Sequence, residues 1–100
     1  MNQNLLRQAR KLQEQLAKIQ EELEKERIVG SAGSGAVEVT LNGHGKLEGV
    51  KVTAAAVDPN DIETLEDLIA LAFKDAQAKV AELSSARMGP LAGGLGVLGL

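Results

Sequence analysis

Leu5, Ala9, Leu12, Leu16, Ile19 and Leu23 recur at alternating spacings of four and three, and no glycine or proline interrupts the chain before Gly30. With 3.6 residues per turn, that spacing puts all six on one side of an α-helix and predicts a helix over residues 4–27. The seam holds fewer than three heptads, too few for a solitary coiled coil. It therefore demands a partner surface, either in its own domain or on a second chain. Glu14–Lys18 and Glu21–Lys25 are i,i+4 pairs with the acid on the N-terminal side, the better orientation. Opposite the seam run Arg7, Lys11, Glu14, Lys18 and Lys25, flanked by Arg10. The first half of this helix is thus apolar on one side and basic on the other; beyond residue 20, Glu21, Glu22, Glu24 and Glu26 take over.

After Arg27 the period changes from helical to two. Val37, Val39 and Leu41 alternate with Glu38, Thr40 and Asn42, which predicts a strand with one wet face. Asn42-Gly43 predicts a type I′ hairpin turn, whose two central residues need positive φ. The strand returns over Leu47 to Thr53, with its phase shifting between Leu47 and the Val50/Val52 pair. Gly49 sits at that shift, where a β-bulge restores register. Arg27 to Ser31 reads as a first strand, turned back by Gly33-Ser34-Gly35. A second helix opens at "DPNDIETLEDL", capped by Asn60 or Asp58, with Asp61, Glu63, Glu66 and Asp67 where the helix dipole favours negative charge. Its apolar face is Ile62, Leu65, Leu68, Ile69, Ala72, Phe73, Ala76, Val80 and Leu83, and Met88-Gly89-Pro90 is the expected end. The order is α-β-β-β-α, an α+β protomer with a small antiparallel sheet between two long helices. Residues 1–88 form the expected single domain, and 89–100, rich in glycine and leucine, the expected mobile tail.

The chain has 100 residues, one phenylalanine, no tryptophan, no tyrosine and no cysteine. Its core must be aliphatic and alanine-rich, hence thin, which favours a core shared between copies. The expected contributors to core and dimer are Leu5, Leu12, Leu16, Ile19, Leu23, Val37, Val39, Leu41, Val50, Val52, Leu65, Leu68, Ile69 and Phe73. Without cysteine there is no disulfide, thiolate metal site or thiol nucleophile. No stretch is apolar enough to span a bilayer, and the N-terminus lacks the apolar run of a signal peptide, so the cytoplasm is the expected location. Net charge is −3, but residues 1–20 carry four cations against Glu14 alone, while residues 54–83 carry seven acids and two lysines. Such asymmetry points to a polyanion-facing end.

The glycines and the sole histidine fall in "GSAGSGAVEVTLNGHG", where catalysis would have to be sought. Gly30, Gly33 and Gly35 have the wrong order for a dinucleotide fingerprint, and a strand follows them rather than a helix whose N-terminus could meet a phosphate. Turns account for them. His44 has neither a nucleophile nor an orienting carboxylate implied beside it, so it reads as a turn residue rather than a general base. The carboxylates from Asp58 to Asp67 lack the alternating spacing of a calcium loop and read as helix-start charges. No metal, cofactor, small-molecule substrate or enzymatic activity is expected.

Three stretches in order, "QEQLAKIQEELEKERIVGSAGSGAVEVTLNGHGKLEGVKV", "VDPNDIETLEDLIALAFKDAQAKVAEL" and "RMGPLAGGLGVLGL", resemble the YbaB/EbfC family of bacterial nucleoid-associated proteins over almost the whole chain. The resemblance implies a cytoplasmic homodimer in which the sheets build the body and helices project like tweezer arms. It implies double-stranded DNA as partner, association with the nucleoid, and a role in chromosome organisation, gene regulation and DNA repair. The expected DNA-binding residues are Arg7, Arg10, Lys11 and Lys18, with Lys74, Lys79 and Arg87 as weaker candidates. Arg7 to Lys18 covers about 16 Å of helix axis, and duplex DNA carries one charge per roughly 1.7 Å, so the row can meet several phosphates. The competing reading is a protein-interaction adaptor or chaperone-like module, motivated by the acidic net charge, the short seam and the apolar tail.

Overall fold

The chain runs α1 (Gln3–Lys25), β1 (Ile28–Ala32), β2 (Val37–Leu41), β3 (Leu47–Val52) and α2 (Ile62–Val97), with a 3-10 turn at Ala54–Ala56 before α2. The computed structural model describes residues 2–97, and side chains as far as Leu91. The element order is the one expected from sequence. Asn2 starts α1 by accepting the Asn4 N–H on its side chain at 2.9 Å.

The sheet is antiparallel in the order β1-β2-β3. Along β2 the predicted alternation is complete: Val37, Val39 and Leu41 are buried, while Glu38 and Thr40 are half-buried. The reason is α2, whose Ala72 and Ala76 are fully buried on this face, with Leu65, Leu68, Ile69, Phe73 and Val80 packed around them. Gly30 pairs with Val39 and faces the same helix. A Cβ on Gly30 would collide with the Ala76 amide nitrogen and the Ala72 carbonyl oxygen and lie 2.7 Å from the Ala76 Cα. Three side chains reduced to a methyl or nothing thus let α2 lie directly on β1.

The hairpin between β2 and β3 differs from the expected type I′ turn. Neither Asn42 nor Gly43 has positive φ; Gly45 does, at 82°. Buried Asn42 organises the loop, its Oδ1 accepting the N–H groups of His44 at 2.8 Å and Lys46 at 3.0 Å. Gly43 meets a different requirement. Its N–H donates to the Leu23 carbonyl at 2.7 Å, and a Cβ there would sit 2.8 Å from the Leu23 Cα. The turn is therefore built so that the end of α1 can rest on bare backbone. The expected bulge is present one residue away: Thr40 pairs with Gly49 but Leu41 with Leu47, leaving Glu48 as the extra residue.

β3 is the strand that the single chain leaves open. Val50 and Val52 pair with Val39 and Val37 and so share the core-facing side of the sheet. Yet α2 lies over β1 and β2 and leaves β3 uncovered, so Val50 is 47% and Val52 38% exposed, beside exposed Leu47. They are not core of the single chain. Leu5, on the α1 seam, is also exposed in the single chain. Leu12 and Leu23 of the seam are buried, and Leu16 and Ile19 half-buried.

Asp61, rather than Asn60 or Asp58, caps α2. Its carboxylate accepts the Thr64 hydroxyl at 2.6 Å and the Thr64 N–H at 3.3 Å, and these bonds, the hydroxyl's first, hold its pKa below the ordinary value. Asp58 instead forms a turn to the Asn60 N–H at 2.9 Å. At its other end α2 passes Met88-Gly89-Pro90 and runs to Val97 rather than stopping. Proline lacks the N–H that the carbonyl one turn earlier needs. Contact overrides that local cost: Leu91 is buried, and Pro90 and Leu91 line a groove with Gln15 and Ile19 of α1. Residues 98–100 of the expected tail lie outside the described residues.

Within one chain, then, part of the α1 seam meets the second half of α2, antiparallel to it. Arg87 ties the two together, its Nη2 2.8 Å from Glu26 Oε1 and its Nη1 3.3 Å from Glu22 Oε2. The molecule measures 69 × 20 × 16 Å, with a radius of gyration of 19.3 Å. A compact chain of this length has a radius of about 13 Å. The structure is a small sheet-and-helix body with a helical arm.

Candidate nucleic-acid interface

Arg7, Arg10, Lys11 and Lys18 are all exposed on α1. Among the described residues, no carboxylate oxygen lies within 4.0 Å of any of their charged nitrogens. The expected Glu14–Lys18 pair is thus not closed, whereas Glu21–Lys25 is, at 3.6 Å. Arg7 and Arg10 flank a shallow hollow with Gln3 and Leu6. Helical spacing does the positioning: residues that line up every three or four places project to one side of a rod.

The weaker candidates divide. Lys74 is exposed, with no ion pair among the described residues. Lys79 is engaged in the fold: its Nζ lies 3.2 Å from Asp75 Oδ2 and donates to the Val29 carbonyl at 3.0 Å. Asp75 also accepts the Ser31 N–H at 3.0 Å; that bond first, then the Lys79 ammonium, holds its carboxyl below the usual range. Arg87 is held by Glu22 and Glu26. Local sequence could not reveal these engagements, because each partner lies between 44 and 65 residues away from the one it meets, except Asp75 and Lys79 themselves.

His44 serves the fold as well. Its Nε2 lies 2.9 Å from the Gln20 carbonyl oxygen, an acceptor, so this nitrogen carries the proton. The bond pins the hairpin to α1 beside the Gly43–Leu23 contact. Among the described residues, His44 is the one titratable group lining the cleft of about 560 Å³ between α1, the hairpin and α2, whose other walls include Gln20, Gln77 and Ser84. Sequence reasoning placed His44 in a turn and missed its bond across the chain. Among the described residues, no three of the potential ligands His, Cys, Asp and Glu are grouped to hold a metal. No helix among them is long and apolar enough to cross a membrane.

A "Nucleoid-associated protein" of Roseiflexus castenholzii is 48% identical over 96 residues, covering 95% of each chain. Another of that name, from Mycolicibacterium vanbaalenii, is also 48% identical over 96 residues, covering 96% of this chain and 87% of its own. An uncharacterized protein from Helicobacter pylori, 18% identical, has the same fold, with a TM-score of 0.74 over 84% of this chain and 88% of that one. The model of the YbaB/EbfC DNA-binding family matches residues 1–95, and this chain belongs to that family.

Proposed function

We propose that this protein binds duplex DNA as a homodimer, mainly through phosphate contacts made by the exposed side of α1. By doing so in the cytoplasm, at the nucleoid, it contributes to chromosome organisation and gene regulation, with a link to DNA repair. The observation that carries the reading is the row Arg7, Arg10, Lys11 and Lys18, exposed on a projecting arm and without a carboxylate partner among the described residues. Cations already neutralised by their own fold gain little from a phosphate; these four gain the full effect. Phosphate contacts fix position without reading sequence, and counterion release drives them. No aromatic side chain stands on α1 for stacking on unpaired bases, which favours duplex over single strands. Membership in the DNA-binding family and the relatives' name support the same reading.

The homodimer is supported by the uncovered side of β3. Leu47, Val50 and Val52 are exposed there, and Val57 and Ile62 are exposed just after it in the chain. A second copy covers these side chains and completes the thin core, at about 25 cal/mol for each Å² of apolar area removed from water. Two arms then flank one duplex.

The test is fluorescence anisotropy on random and defined duplexes across a salt series. The logarithm of affinity should fall with the logarithm of salt by about 0.9 for each phosphate met. The variant Arg7→Glu/Lys11→Glu/Lys18→Glu should lose binding while keeping its melting curve and mass. Unchanged affinity in that folded variant, or binding indifferent to salt, overturns the assignment.

A further inference from the structure

The two margins of the sheet are treated differently. On β1 one outward backbone group at each of two successive outward positions is already taken. Asp75 Oδ2 accepts the Ser31 N–H at 3.0 Å, Lys79 Nζ donates to the Val29 carbonyl at 3.0 Å, and the two side chains meet at 3.2 Å. Asp75 and Lys79 stand one turn apart on α2, and Val29 and Ser31 two residues apart on β1. The pair therefore covers two successive outward positions of the strand. On β3 nothing comparable exists among the described residues. Thr53, just beyond it, donates its N–H inward to the Ala36 carbonyl at 3.0 Å. Antiparallel alternation then turns the N–H and C=O groups of Val50 and Val52 outward. Their side chains are half exposed as well.

An open strand margin is a template for another strand. We propose that the Asp75–Lys79 pair closes the β1 margin to strand addition, leaving β3 as the margin where a second copy of this chain adds, so that assembly stops at two. This rests on the homodimer reading given above. Were both margins open, β3 of one copy could join β1 of the next, a heterologous contact that does not close and extends into a chain. With β1 shut, only β3 against β3 remains. That contact is two-fold, and it consumes the open margin of both partners.

The experiment compares the wild type with Asp75→Ala/Lys79→Ala, with the milder Lys79→Met, and with Asp75→Asn, which keeps an acceptor for the Ser31 N–H. Mass is followed by light scattering over a concentration series, exchange of the Ser31 amide by NMR, and folding by circular dichroism. The expected result is at least tenfold faster Ser31 exchange in the double variant, with mass rising beyond two copies as concentration increases; Lys79→Met shows the same trend more weakly. The wild type and Asp75→Asn stay at two copies. A folded double variant that stays at two copies beside a dimeric wild type overturns this proposal alone, as does unchanged Ser31 exchange. A wild type with the mass of one chain overturns the homodimer reading, and this proposal with it.

Discussion

Two glycines that look like turn residues are contact surfaces. Gly30 admits the backbone of α2 at Ala72 and Ala76, and Gly43 admits that of α1 at Leu23. A methyl group at either site meets main chain rather than a flexible side chain, so relief requires moving a helix. Gly30→Ala should cost at least about 2 kcal/mol in urea unfolding, in the upper half of the usual range for overpacking or beyond it. Gly49→Ala, with nothing within 4 Å of the added carbon, should change stability by less than about 0.5 kcal/mol. Equal effects at the two positions would refute the packing role of Gly30. Turn chemistry was legible in sequence at Gly33 and Gly35, which have φ of 62° and 90°. The roles of Gly30 and Gly43 were not, because the backbones they meet come from distant parts of the chain. Leu23 was legible as a seam residue, and Leu23→Ala should cost about 2–5 kcal/mol.

At the scale of elements, alternation in β2 and, at Leu12 and Leu23, the heptad spacing of α1 were legible, since both are properties of contiguous residues. The end of α2 was not so determined. Gly89-Pro90 is a local stop signal, and burial of Leu91 beside α1 outweighs it. The cap was displaced for a similar reason: three candidate acceptors stand within four residues, and the choice of Asp61 depends on the side chain of Thr64. Asp61 and Asp75 both have folded pKa values lowered from 3.8, so each binds its proton more weakly when folded. Their stabilisation is complete above the ordinary carboxylate pKa and is lost as pH falls through the lowered values. Thermal melts against pH should show a plateau above about pH 5 and a fall in acid. Asp61→Ala and Asp75→Ala should lower the plateau and flatten the acid limb. A curve of unaltered shape would show that these hydrogen bonds do not contribute. Arg87→Gln removes both bridges between the helices of the arm. The pairs are about one-third exposed, so the expected loss is small, about 0.2–1 kcal/mol for each. The sensitive readout is amide exchange, which should quicken in residues 15–26 and not in the sheet.

Over the whole molecule, the contrast between the covered strands β1 and β2 and the open side of β3 is what the proposed assembly rests on. Val50→Asp/Val52→Asp places charge where the second copy is proposed to sit, and light scattering should give the mass of one chain with the sheet still formed. Retention of a two-copy mass would move the contact elsewhere. Sequence showed Val50 and Val52 to be apolar and in phase. It could not show that α2 is spent on β1 and β2 alone, because coverage of a strand is decided by where a distant helix lies.

Where α1 joins the body has a mechanical meaning. The helix is 23 residues long, about 34 Å at 1.5 Å per residue, and it is fastened near its C-terminal end by Leu23 on Gly43 and by the His44–Gln20 bond. It is also held further along, where Leu12 is buried and Gln15 and Ile19 line a groove with Pro90 and Leu91 of α2, so only the turns before Leu12, with Arg7, Arg10 and Lys11, stand beyond the fastening. Those turns, residues 3–11, span about 13 Å, and a tilt of about 10° there carries the tip through only roughly 2 Å. The spacing of those three charges is therefore set by the helix itself and not by movement of the arm.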